Sequence, residues 1–402
     1  MGYQAFRSGL SDMRVWRPRL FTERTSVGLD VHARSVAAAA IDGATGQVWR
    51  ETLRPDSQAI LAWLGQLPGP VAVVYEAGPT GFGLARAMAA SGIRCVVAAP
   101  SKLQRPSGDR VKTDARDAQH LCRLLRLDEV TAVTVPSIEQ EAARDLVRAR
   151  EDCRGDLMRA RHRLSKLLLR HGQVYVPASD HGQAWTLAHD QWLRRLRRDA
   201  ADLGWSAGTR SAFDSCYETV IMVSDRRDRL DAEIAAMAAD SEFTPVVHRL
   251  GCLRGISTLT GFGLAVEIGD WTRFTGKTIG SFVGLTPSED SSGQSRSVGP
   301  IAKTGNSHAR RLLVEAAWHH RPAYRPGKTM LDRWKLASPV ARARGDAGNR
   351  RLQRQWAKFI ARKKRGTIAT VAIARELAGW CWSLAVLDDT DDPGIGSELI
   401  MP

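Results

Sequence analysis

Four carboxylates in the first third of the chain have the type and spacing to hold divalent cations. They are Asp30 in SVGLDVH, Glu76 in VVYEAGPTG, and Asp114 and Asp117 in KTDARDA. Each stands at the edge of an apolar strand or the start of a helix, where a carboxylate can face a shared pocket. A phosphodiester reacts slowly because water is a poor nucleophile and charge on phosphorus is poorly stabilised. Two divalent ions about 3.5–4 Å apart address both problems and need three or four carboxylates as hard oxygen ligands. Mg²⁺ suits this set better than Zn²⁺, because His32 is the only His or Cys within the motifs. A lone Asp in a helix first turn is usually a terminal charge, but four in this order point to metal. Gly28 lies two residues from Asp30, on the same side of the strand.

A second polar constellation lies near position 290. Ser288, Ser291, Ser292, Ser295 and Ser297 fall within ten residues, with Gly293 and Arg296 among them. One reading is a flexible polar loop. The other is a serine nucleophile for phosphorus, with Arg296 and Lys303 stabilising the developing charge. Arg105, Arg110 and Lys112 precede the third acidic motif, placed to meet phosphates or simply solvated. Arg310 and Arg311, in the helix opened by KTGNSHARR, are further candidates for nucleic-acid contact.

Charge narrows the partner. The 402 residues carry a net charge of +15, and the pI is near 10.1. From Arg296 to Arg365 there are 19 Lys and Arg against three acids, so the excess sits in one stretch and favours a polyanion. No run of 18 apolar residues is present, which argues against a spanning helix. The six cysteines are scattered without a C-x-x-C pair, as expected of free thiols in a reducing cytoplasm.

Periodicity gives the elements that must position these residues. Residues 26–31, 35–41 and 46–49 read as a three-stranded meander, 57–66 as a helix, and 70–76 as a buried strand. Residues 80–92 read as a helix, 93–99 as a strand, and Thr113 caps a helix to about Leu127. The order β-β-β-α-β-α-β-α is that of the RNase H-like fold. Leu146, Cys153, Ala160 and Leu167 recur every seven residues, with Leu157 and Leu164 in a second row. Cys216, Val223, Leu230 and Met237 repeat similarly beside Val220, Arg227 and Ile234. These predict two antiparallel helices, as a coiled-coil arm or as part of a bundle. Trp185, Trp192 and Trp205 lie between them with a basic run, fitting nucleic-acid contact or a packed helix tip. LGCLRGISTLTGFGLAVEIGD reads as a helix-hairpin-helix-like segment, with Ser257 where a second glycine is usual.

GLDVHARS, YEAGPTG and KTDARDA, followed by FVGLTPSEDSSG and KTGNSHARRLLVEAAW, closely resemble the DEDD transposases of a large insertion-sequence family, whose members are understood as bridge-RNA-guided recombinases. The resemblance runs from about Val27 to Trp382. It implies a RuvC-like (RNase H-like) domain in which Asp30, Glu76, Asp114 and Asp117 are the four acids, binding Mg²⁺. It implies a mainly helical C-terminal serine transposase domain in which Ser292, directly before Gly293, is the nucleophile and Ser291 the adjacent alternative. A phosphoserine link to DNA follows, with a structured non-coding RNA pairing to target and donor DNA. Also implied is a homotetramer or dimer of dimers in which acids of one subunit meet the serine of another. The expected divisions are a mobile arm (1–23), the RuvC-like mixed sheet with helices (24–135), a helical coiled-coil linker (136–245), the serine transposase domain (246–385) and a tail (386–402). A cytoplasmic, nucleoid-associated bacterial protein is expected. The alternative is an RNase H-like metal-dependent nuclease or Holliday-junction resolvase using the acidic site alone.

Overall fold

The computed structural model describes residues 23–103, 113–178, 183–292 and 295–388, with the backbone alone at 290–292 and 295–296. The expected N-terminal arm and most of the expected tail lie outside the described residues. The chain divides into two compact units, residues 1–136 and 137–402.

In the first unit β1 (Thr25–Val31), β2 (Val36–Asp42) and β3 (Val48–Leu53) form the antiparallel meander. Asp56 caps α1 (Ser57–Leu64), its carboxylate accepting from the Ala59 N–H at 2.8 Å. Then come β4 (Val71–Glu76), α2 (Gly83–Ala90), β5 (Arg94–Ala98) and α3 (Asp114–Arg126). The sheet order is β3-β2-β1-β4-β5, with β1–β4 and β4–β5 parallel. The central strands therefore need apolar residues on both faces, which is why β1 and β4 read as near-continuous apolar runs.

Strand alternation sorts those faces. Val27, Leu29, Val73 and Tyr75 pack with Ile60 and Leu64 of α1 and Met88 of α2. Ala72, Val74 and Ala98 pack on the opposite side with Leu121 and Leu125 of α3. Gly28 and Asp30 alternate with Val27 and Leu29, so they belong to the α3 face. Glu76 continues the series Ala72, Val74 and falls there too.

Contact between α3 and β1 is unusually close. A Cβ on Gly28 would lie 2.1 Å from the Ala118 carbonyl oxygen and 2.4 Å from Cys122 N. The Cys122 thiol donates to the Ser26 carbonyl at 3.0 Å. Four helix residues advance about 6 Å and two strand residues about 6.6 Å, so helix and strand stay in step. Cys122 meets Ser26, Ala118 meets Gly28, and Asp114 reaches Asp30.

The second unit is mainly helical. α4 (Ile138–Arg170) and α6 (Ala207–Ala239), each 33 residues and about 50 Å long, pair along their lengths. The buried α4 residues Cys153, Leu157, Ala160, Leu164 and Leu167 include most of the heptad positions. α5 (Leu187–Arg198) packs Leu193 and Leu196 onto the pair. The tryptophans of this tip are packed: Trp205 is buried against Phe213, and the Arg161 guanidinium lies 5.0 Å above Trp185.

The remaining elements are α7 (Thr244–Leu250), α8 (Thr258–Ile268), α9 (Thr278–Phe282), β6 (Pro287–Ser292), β7 (Ser295–Ile301), α10 (Ser307–Trp318), α11 (Lys328–Trp334), α12 (Pro339–Ala361) and α13 (Gly366–Ala385). Their core centres on Leu352, Trp356, Ile373 and Leu377. α7 and α8 form the helix-hairpin-helix-like segment, in which Ser257 caps α8 by accepting from Thr260 N at 3.2 Å. No helix among the described residues is long and apolar enough to cross a membrane.

The Gly28 contact yields a direct expectation. Gly28→Ala should cost the first unit about 1–3 kcal/mol or more, because the methyl group must push α3 off the sheet. Hydrogen exchange of the β1 amides should accelerate accordingly, and unchanged protection would contradict the packing described.

Candidate metal centre and serine hairpin

Asp30 sits near the end of β1, and β4 runs parallel with Leu29 opposite Tyr75. One step further brings Asp30 beside Glu76, on strands about 4.8 Å apart. Thr113 caps α3, its hydroxyl accepting from Arg116 N at 3.4 Å, which starts the helix at Asp114. Donor atoms of Asp30, His32 and Asp114 all lie within 4.8 Å of one another. His32 Nε2 is 3.2 Å from Asp30 Oδ2 and 3.7 Å from Asp114 Oδ1. Glu76 and Asp117 are half-buried and stand outside this tight group. His32, in the sequence only the lone His or Cys within the acidic motifs, is thus brought into the cluster. Its signal was present: Asp30 and His32 are two apart where β1 ends.

Burial raises the Asp30 pKa above the ordinary carboxylate value. His32 opposes the shift, while the charges of Asp114 and Asp117 add to it. Carboxylates gathered this way repel one another, and a cation relieves both the repulsion and the desolvation. Two carboxylates and an imidazole, only partly covered, fit a divalent ion that accepts oxygen ligands and keeps some water.

Arg105, Arg110 and Lys112 lie outside the described residues. Lys303 is exposed in the second unit. Arg310 is used internally: its Nη1 donates to the Val283 carbonyl at 2.9 Å and the Thr304 carbonyl at 3.0 Å. Arg311 pairs with Glu151 and, at 2.8 Å, with Glu315. Both arginines therefore tie the fold together within this chain.

The serine-rich segment is a hairpin where the sequence allowed a loop. Ser291 stands opposite Arg296 and Ser292 opposite Ser295, around a tip at 293–294 that lies outside the described residues. The side chains of Ser291, Ser292 and Arg296 are likewise outside the description. The base of the hairpin is pinned. A Cβ on Gly284 would lie 2.2 Å from the Thr304 carbonyl oxygen, and one on Gly305 would overlap the Phe282 carbonyl oxygen. Both have positive φ, 67° and 72°. Only glycine permits the two backbones to cross so closely, which gives GLTP and KTGN their common purpose. Lys303 N donates to the Gly284 carbonyl at 3.1 Å, and Ala302 N to Thr286 at 2.8 Å.

Glu267 is the residue the sequence reading missed. It is 1% exposed. Arg148 donates to both its oxygens, at 3.0 and 3.1 Å, Asn306 Nδ2 to one at 2.7 Å, and His308 Nδ1 lies 3.2 Å away. Asn306 also caps α10 by accepting from Ala309 N at 2.9 Å. One buried carboxylate thereby joins α4, α8 and α10 beneath the hairpin base. The signal was a single acid in an otherwise apolar helix, GFGLAVEIG, since a buried acid needs partners.

Burial alone would raise the Glu267 pKa. The bonds from His308, Arg148 and Asn306 outweigh it and bring the carboxyl down to about 2. The folded pKa is depressed, so its stabilisation is complete above the ordinary value of 4.5 and lost as pH falls toward 2. Glu267→Gln should destabilise the second unit by about 1–3 kcal/mol at pH 7. It should also flatten the acid limb of stability, measured by urea unfolding across pH. An unaltered limb would remove the knot from the account.

Comparison with known proteins agrees with these motifs. A family model described as a transposase, the DEDD type of IS110 elements, matches residues 27–172. A second, described as the transposase IS116/IS110/IS902 family, matches residues 247–329. The chain is 36% identical over 366 residues to a putative transposase, y4qE, of Sinorhizobium fredii, covering 89% of this chain and 88% of that one. It is 28% identical over 346 residues to the transposase for insertion sequence element IS1533 of Leptospira borgpetersenii, covering 84% and 97%. A probable family 20 transposase of Pseudomonas aeruginosa is 25% identical over 374 residues, covering 92% and 98%. The chain belongs to the IS116/IS110/IS902 family of DEDD transposases.

Proposed function

We propose that this transposase exchanges DNA strands through a phosphoserine on Ser292, with Mg²⁺ held by Asp30, Glu76, Asp114 and Asp117. The observation that carries the reading is the acidic face of the first unit, where donor atoms of Asp30, His32 and Asp114 lie within 4.8 Å. An antiparallel meander followed by two parallel strands, with α3 across the face, supports an RNase H-like, RuvC-like domain. Ser292 ends a paired strand, a firmer mount than an open loop.

The serine oxygen attacks phosphorus and gives up its proton. The new O–P bond forms as the bond to the bridging oxygen breaks, and that oxygen takes a proton to leave as a free hydroxyl. One phosphoester replaces another, so rejoining needs no outside energy. A divalent ion at the acids would supply Lewis-acid stabilisation of the phosphoryl charge. His32 orients the Asp30 carboxylate, and Arg296 and Lys303 offset charge near the serine. The basic stretch from Arg296 to Arg365 supports binding of DNA and a structured bridge RNA. Arg105, Arg110 and Lys112 would add contacts beside the acids. Guidance by base pairing asks the protein for cationic, shape-reading surface more than for readers of base edges. A homotetramer, in which acids of one subunit serve the serine of another, completes the reading in a bacterial cytoplasm.

Incubation with element-end DNA, guide RNA and Mg²⁺ should give a covalent protein–DNA adduct on a denaturing gel. Ser292→Ala should abolish it and Ser291→Ala should not. Asp30→Asn should cut adduct formation at least about 100-fold, several kcal/mol of transition-state stabilisation. Strand cleavage that survives Ser292→Ala without an adduct would instead favour a hydrolytic nuclease using the acidic site alone.

A further inference from the structure

A cavity of about 1220 Å³ opens in the second unit between β7, α12 and α13. Its floor is apolar, with Leu285, Ile301, Trp380 and Trp382. Its rim is cationic, with Lys277, Arg344, Arg351 and Arg375. Two large apolar side chains stand exposed at the edge, Val298 at 59% and Ile368 at 54%. Arg344 is fixed, its guanidinium 5.0 Å above the Trp380 ring and its Nε donating to Ser383 Oγ at 3.2 Å. Arg351 is neutralised by Glu376 at 2.5 Å. Lys277 and Arg375 are exposed and have no ion-pair partner among the described residues.

We propose that this cavity binds an unpaired stretch of nucleic acid, bases on the apolar floor and phosphates on the Arg375–Lys277–Arg344 rim. The rim's excess positive charge selects a polyanion, and the aromatic and aliphatic floor selects one with flat apolar faces. Bases within a duplex hide those faces in the stack, so unpaired bases are the complementary ligand. The guanidinium of Arg344, held over the Trp380 ring, adds a cation to the aromatic floor. The volume exceeds the roughly 300–1,000 Å³ of a small-molecule site, leaving room for more than one base. The site stands on this chemistry alone, so failure of strand exchange through Ser292 would leave it intact.

The test uses the full chain and 12-nucleotide strands carrying 5-iodouracil, one arm DNA and one arm RNA. Irradiation should crosslink the strand to peptides containing Ile368 or Trp382, and the arm that crosslinks identifies the source. Ile368→Ser and Arg375→Ala, both at exposed positions, should each weaken unpaired-strand binding about tenfold. Affinity for a duplex of equal length should change less than twofold. Equal losses for duplex and single strand, unchanged single-strand affinity, or crosslinks confined elsewhere would each overturn the proposal. So would a zero-length carboxyl–amine crosslink joining the acidic segment 389–402 to Lys277, which would give the cavity to that segment.

Discussion

The approach of α3 to β1 at Gly28 is the constraint on which the acidic site depends. Nothing larger than hydrogen fits between the strand and the Ala118 carbonyl. That contact fixes the height of the helix above the sheet, and the matched rise of helix and strand fixes its register. Asp114 then arrives at Asp30 as a consequence of packing about one turn away. The carboxylates do not draw one another in: burial first, and the charges of Asp114 and Asp117 after it, raise the Asp30 pKa against the opposing pull of His32. Core packing holds together charges that would otherwise separate, a configuration suited to a bound cation.

The second unit solves a similar problem with different means. A short hairpin of Ser, Gly and Asp has little apolar surface to bury, so it cannot fix its own position. The Gly284–Gly305 crossing and the carbonyl contacts of Arg310 pin its two legs. Below them, Glu267 binds three helices through charged hydrogen bonds in a buried setting. Such a knot stabilises only while complete, because removing one partner leaves the others desolvated. Rigidity at the base fixes where the two described strands of the hairpin leave the helical core.

Much of this was legible in the sequence because it is local. Strand alternation put Asp30 and Gly28 on one side, Thr113 announced the start of α3, and the heptads of α4 marked its buried stripe. The less legible features depend on distant partners. His32 joins the cluster only because α3 brings Asp114 to it. Arg310 and Arg311 read as candidates for nucleic-acid contact, and the Val283 carbonyl and the Glu151 carboxylate that engage them lie close in space and far in sequence. The first strand of the serine hairpin, PSEDSS, lacks the β-branched residues that announce a strand. Its pairing comes from the clamp at its base. Trp205 reads equally as a stacking or a core residue until Phe213 is seen against it.

The central claim is that α3 and the sheet edge together build one cation site from separated motifs. Iron-directed cleavage reads this most directly. Fe²⁺ loaded in place of Mg²⁺, with ascorbate and peroxide, cuts the backbone where the ion sits. The account predicts fragments ending near Asp30–His32, near Glu76 and near Asp114, all suppressed by excess Mg²⁺ and by Asp114→Asn. Cleavage at one motif alone, or cleavage indifferent to Asp114→Asn, would contradict it.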